Sequence, residues 1–139
     1  MLPLPINDQL TIPDTDLQLT AVRASGPGGQ HVNKTASAVE LWFNLAGTQA
    51  LSPPVKARLR ALAGKRVGRD GILLIVAAKH RSQPRNLEDA RERLAQLIRE
   101  ALVPPEPRLP TKVPRRTKLR RLDEKRARSE VKAGRGRVE

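Results

Sequence analysis

The sequence predicts an α+β fold: a small β-sheet with helices packed on one face, in the order β-β-α-β-α. Three observations carry this. Val39, Leu41, Phe43 and Leu45 alternate strictly with Glu40, Trp42 and Asn44, the period-two pattern of a half-buried strand. Leu87, Ala90, Leu94, Leu97, Ile98 and Ala101 recur at intervals that place them on one face of an α-helix. Between them, ILLIVAA at 72–78 is a short apolar run, which reads as a buried strand.

The remaining elements follow in order. Leu17, Leu19 and Ala21 alternate with Gln18 and Thr20, giving the first strand. A glycine-rich segment, SGPGGQHVNK at 25–34, joins it to the 39–45 strand. Ser52 then stands at a helix N-cap with Pro53 in the first helical position, and Val55, Leu59 and Leu62 follow at helical spacing. Gly64 is placed to end that helix. Arg69, Asp70 and Gly71 form a turn into the 72–78 strand. Ser82 is placed to cap the last helix, which ends near Val103. No internal repeat is visible.

Composition narrows the partners. The 139 residues suit one domain with an appendage. Lys and Arg total 27 against 14 acids, a net charge of +13, and a chain this basic most often meets a polyanion. No apolar run is long enough to span a bilayer. MLPLPINDQL lacks the basic and apolar regions of a secretion signal, and there are no cysteines, so a reducing cytoplasm is expected. His31 and His80 lie far apart without ligand spacing, so no metal site is expected. Trp42 and Phe43 are the only aromatic residues. Reading of single-stranded RNA by stacking on several rings is thus excluded, and RNA binding would act through phosphates and shape.

The charge is uneven. Residues 108–139 hold thirteen Lys and Arg and four acids, whereas 1–107 hold fourteen and ten. VPPEPRLP at 103–110, with four prolines in eight positions, marks the boundary as a stiff spacer. Beyond it the apolar residues are few, chiefly Leu119, Leu122 and Val131. Such a segment cannot offset its ordering entropy by burial, so it is expected to be disordered alone. Residues 117–133 lack proline and glycine and favour helix once a polyanion neutralises them. A solubility tail is the plainer reading; thirteen cations against four acids favour a nucleic-acid arm.

The glycine loop admits three readings. It is a hairpin connection, a phosphate-binding loop, or a tip that completes another macromolecule's active site. GGQHVNKT at 28–35 nearly fits the phosphate-loop pattern, but Asn33 replaces its second glycine. A phosphate loop must also open onto a helix N-terminus, and here a strand pattern follows. The third reading rests on what the segment holds. It has no carboxylate and no acid–base pair, but its paired glycines permit φ > 0 and close approach, and a backbone N–H can donate to a developing oxyanion.

The frame Arg23-Ala24-Ser25-Gly26-Pro27-Gly28-Gly29-Gln30-His31-Val32-Asn33-Lys34 closely resembles the Gly-Gly-Gln signature of class I peptide-chain release factors. Arg81-Ser82-Gln83, with Asn86 three residues on, is a second match. The chain is too short for stop-codon-reading domains. Its order, a catalytic domain, a proline-rich linker and a basic tail, resembles the alternative ribosome-rescue factor B family, over nearly all of residues 8–138.

That resemblance implies a codon-independent peptidyl-tRNA hydrolase acting on stalled ribosomes. Residues 1–103 would be the catalytic domain, 104–110 the linker and 111–139 the tail, helical on the ribosome. The loop would enter the peptidyl transferase centre, where water attacks the ester of P-site peptidyl-tRNA. Gln30 would stabilise the oxyanion or departing hydroxyl through its main-chain amide and admit water past its side chain; Gly28 and Gly29 would supply backbone shape. The tail would lie in the small subunit's empty message channel through Lys112, Arg116, Arg120, Arg121, Lys125, Arg128, Lys132, Arg135 and Arg137. Ribosomal RNA is the expected partner, with no cofactor, no membrane and a monomeric chain. Pro27 and His31 receive no role, and His80 reads as a core or surface histidine. Two rivals stand beside this reading. One is a non-enzymatic ribosome- or RNA-binding protein anchored by its tail, which the catalytic frame disfavours. The other is a hydrolase of free peptidyl-tRNA, which would need a base of its own.

Overall fold

A computed structural model of the protein describes residues 1–24 and 36–136. Its contacts divide the chain into two units, Met1–Pro104 and Pro105–Glu139.

The first unit is built on an antiparallel sheet of three strands. These are β3 (Leu17–Val22), β4 (Ala38–Asn44) and β5 (Ile72–Ala77), in the order β3-β4-β5. The register sets Leu19, Leu41 and Ile75 side by side, and likewise Leu17, Phe43 and Leu73. Because side chains alternate across a strand, this puts Val39, Leu41, Phe43, Leu73, Ile75 and Ala77, all buried, on one face. Helix α2 (Gln83–Leu102) packs on that face against β4 and β5 through Ala90, Leu94, Ala95, Ile98 and Ala101. Helix α1 (Pro53–Ala63) lies against α2, where Arg58 Nε donates to the Ala101 carbonyl at 2.6 Å. The α+β class and the β-β-α-β-α order are those expected from the sequence.

Three details differ from the sequence reading. The apolar run at 72–78 is not buried throughout: Leu73, Ile75 and Ala77 are buried, but Ile72 and Leu74 are half-buried and Val76 is 46% exposed. β5 is an edge strand that meets α2 on one face only, so only alternate side chains leave water. In α1, Leu62 is 47% exposed and Ala63 is buried in its place. A 100° step per residue puts Leu62 roughly 60° from the centre of the 55/59/63 stripe that meets α2. Ser52 and Ser82 do occupy N-cap positions with extended backbone, but neither side chain makes a capping bond. The prolines Pro53 and Pro84, at helix starts where an amide donor is dispensable, carry those termini instead.

One element was not anticipated. Leu4–Pro5 (β1) pairs with Thr11–Ile12 (β2) in a short hairpin. Asn7 closes it, its Oδ1 accepting from the amides of Gln9 (2.9 Å) and Leu10 (2.7 Å). Leu4, Ile6 and Ile12 enter the core. Helix α2 holds this segment down: Arg91 donates to the Leu2 and Pro3 carbonyls at 2.8 and 2.7 Å, and Arg99 Nε to Ile6 at 3.0 Å.

The turn into β5 depends on Gly71. Its φ is +78°, and a Cβ there would lie 2.5 Å from the Ala46 Cβ. Positive φ and overpacking each cost on the order of 1–2 kcal/mol. Gly71→Ala is therefore expected to lower the domain's Tm by about 8–16 °C, followed by Trp42 fluorescence; an unchanged Tm would mean that the turn is not held as described.

The second unit contains one helix, α3 (Arg115–Gly134), in which no residue is buried. It spans the 117–133 stretch whose composition favours helix. Leu119, Leu122 and Val131 are all more than half exposed.

Candidate functional site

The glycine loop leaves and rejoins the sheet at one end. Val22, the last residue of β3, pairs with Ala38, the first of β4. Val39 pairs in turn with Ala77, the last residue of β5, so the 78–82 turn emerges at the same end. Gly28, Gly29 and Gln30 lie outside the described residues, as do Pro27 and His31. The structure therefore describes the loop's frame.

That frame has one buried polar pin. Asn86, in the first turns of α2, is fully buried. Its Oδ1 accepts from the His80 amide at 2.8 Å. Its Nδ2 donates to the His80 carbonyl at 2.8 Å and to the Ser37 carbonyl at 2.7 Å. An unpaired amide here would cost its desolvation, but both Nδ2 hydrogens and the Oδ1 have partners. One side chain thus joins α2, the 78–82 turn and the outgoing stem of the loop. Arg81, Ser82 and Gln83 are the turn's end, the N-cap and the first residue of α2; Arg81 is exposed. His80 is half-buried and meets Asn86 through its main chain. The match of Asn86 gave no clue to this role. The signal was an amide one helical turn before Ala90 and two before Leu94, on the face that packs into the core.

Among the described residues no cluster of His, Asp or Glu can hold a metal ion. A groove of about 510 Å³ beside β5 is lined by Lys65, Arg66, Leu74, Ile75, Val76 and Arg93, and so offers neither nucleophile nor carboxylate.

The tail residues separate into groups. Arg121, Lys125, Arg128 and Lys132 follow one another at intervals of four, three and four within α3, so helical geometry sets them on one stripe. Lys118 falls on the same stripe, and among the described residues of α3 no acidic residue does. Arg116 and Arg120 lie on another side of the helix, where Arg120 Nε approaches Glu124 at 3.9 Å. At that exposure the pair contributes little. Lys112 precedes the helix and Arg135 follows it; Arg137 is outside the described residues.

The family described as "RF-1 domain" matches residues 6–139. The chain is 45% identical over 136 residues to "Peptidyl-tRNA hydrolase ArfB" of Pseudomonas putida, covering 98% of each chain. It is 35% identical over 97 residues to "Large ribosomal subunit protein mL62" of Mus musculus, 69% of this chain and 47% of that one. It is 41% identical over 69 residues to "Peptide chain release factor 2" of Renibacterium salmoninarum, 49% of this chain and 18% of that one. The chain belongs to the RF-1 domain family, of the alternative ribosome-rescue factor B type that its glycine loop and basic tail resemble.

Proposed function

We propose that this protein rescues stalled ribosomes by hydrolysing the ester of peptidyl-tRNA, without reading a codon. The observation that carries the reading is the match to an ArfB peptidyl-tRNA hydrolase over 98% of both chains, catalytic frame and tail together.

In this reading water attacks the carbonyl carbon of the ester that links the peptide to the 3′-terminal ribose of P-site tRNA. A tetrahedral oxyanion forms, the carbon–ribose oxygen bond breaks, and the proton given up by water ends on the departing hydroxyl. The main-chain amide of Gln30 donates to the oxyanion or to the leaving oxygen, where a preorganised donor is worth roughly 10²–10³ in rate. The Gln30 side chain admits water and excludes bulkier nucleophiles. Gly28 and Gly29 let the backbone reach the reacting atoms. The ribosomal RNA and the substrate's ribose supply the rest, which is why the chain needs no acid–base pair of its own.

The same reading divides the chain into the catalytic domain 1–103, the linker 104–110 and the tail 111–139. The tail is a cationic arm, disordered alone, that becomes helical in the small subunit's message channel. Its residues Lys112, Arg116, Arg120, Arg121, Lys125, Arg128, Lys132, Arg135 and Arg137 bind RNA phosphate there. Message in the channel is a competing polyanion, so the arm seats only when the channel is vacant. The protein acts as a monomer in the cytoplasm.

The test is peptide release from ribosomes programmed with truncated or intact message, for wild type and Gln30→Ala. Wild type is expected to release peptide from the truncated complexes and far less from the intact ones; Gln30→Ala keeps the main-chain donor and is expected to retain much of the release rate but to accept bulkier nucleophiles, such as hydroxylamine, in place of water. Equal release from both complexes would refute the channel-sensing arm. Equally fast cleavage of free peptidyl-tRNA would refute ribosome dependence.

A further inference from the structure

The end of the sheet that bears the glycine loop is cationic, with acids resuming at Glu40 in β4 and at Glu88 and Asp89 in α2. Residues 21–39 and 71–87, the two segments that meet there, contain no Asp or Glu. Arg23 stands on the loop's incoming stem, Lys79 and Arg81 on the turn beside its outgoing stem, and Arg85 in the first turn of α2, all exposed. Among the described residues none of the four makes an ion pair: the cation–carboxylate contacts are Arg93–Asp89, Arg99–Glu92 and Arg120–Glu124. The opposite end of the sheet differs, carrying Asp14, Asp16 and Asp70 near the starts of β3 and β5.

Asn86 makes this charge relevant to the loop. Its bonds to Ser37 and to both main-chain groups of His80 tie the loop's outgoing stem to the turn that presents Lys79 and Arg81. A load on the turn therefore fixes the position of the stem.

We propose that the end of the catalytic domain formed by Arg23, Lys79, Arg81 and Arg85 is a docking surface for ribosomal RNA phosphate, engaged when the glycine loop is seated. This rests on the function proposed above. The occupant follows from placement. The tRNA's 3′ end meets Gly29, which is six residues from Arg23 and eight from Ser37. The cations stand at the loop's base, so the phosphates they meet belong to the walls through which the loop passes. Four unpaired cations with no acid in either segment suit a polyanionic wall. Contacts made only in the seated state raise the rate of the chemical step rather than the affinity of first binding, which the tail provides.

The test uses the full chain on ribosomes stalled without message. For Lys79→Ala/Arg81→Ala/Arg85→Ala, release at saturating protein is expected to slow by about tenfold or more, with less than about a threefold change in half-saturating concentration. The charge-conserving Lys79→Arg/Arg81→Lys/Arg85→Lys chain should recover most of that rate, as a merely structural role would not require. Because the chain has no cysteine, Lys79→Cys gives one attachment point for an iron chelate, which is expected to cleave large-subunit RNA. Wild-type release by the triple alanine variant, no recovery with charge conserved, or cleavage confined to tRNA would each overturn the proposal while leaving the hydrolase reading intact. Failure of wild type itself to release peptide would sink both.

Discussion

Gly29→Ala is expected to reduce the rate of peptide release by about 10²-fold or more, with ribosome binding and thermal stability within error of wild type. A Cβ narrows the φ range open to the residue before Gln30 and adds bulk where the backbone must come close to the ester. An oxyanion donor acts only at hydrogen-bonding distance, and a displacement of about 1 Å is enough to cost two orders of magnitude. The change removes no buried contact among the described residues, so the loss should fall on the maximal rate, not on half-saturation. Release at the wild-type rate would show that the glycine pair merely connects two strands.

Cutting the chain after Arg108 has the second large effect. Among the described residues every buried hydrophobic one lies between Leu4 and Ala101, so the truncated protein should melt as the intact domain does. Rescue should nevertheless be lost. If Lys118, Arg121, Lys125, Arg128 and Lys132 each neutralise one phosphate, their share of the salt dependence is a slope of roughly −3.5 to −4.5. Full-length protein should then lose about 10²-fold in affinity between 50 and 200 mM salt through those contacts alone. The truncated protein should bind weakly, with a much flatter slope. Rescue by the truncated chain, or an intact chain indifferent to salt, would leave the tail without the work assigned to it.

The central architecture was legible because it is written in periodicity. β4 and α2 each present one apolar face to a single core, and their patterns, periods of two and 3.6, survive in the sequence without interruption. Whether β5 buried one face or both was not legible, since an all-apolar run has no period to read. The β1–β2 hairpin escaped notice because strands of two residues are too short to show alternation. Its stability lies in contacts remote in sequence, such as those of Arg91 with Leu2 and Pro3. The site divides in the same way. Gly28, Gly29 and Gln30 are legible as a motif and lie outside the described residues, while Asn86 shows its bonds to Ser37 and His80 only when the chain is folded. The tail's charge is plain in composition, but its sorting into an acid-free stripe required a helix.

The solitary character of α3 has a consequence for how the protein melts. A helix whose every side chain faces water has only local propensity to hold it, so alone it is largely disordered, and what helix it retains frays gradually on warming. The catalytic unit should instead lose its structure in one cooperative step. Far-ultraviolet circular dichroism sums both, so its heating curve should slope well before the main transition and misstate the enthalpy of unfolding. Calorimetry or the near-ultraviolet signal of Trp42, half-buried in β4, isolates the cooperative part.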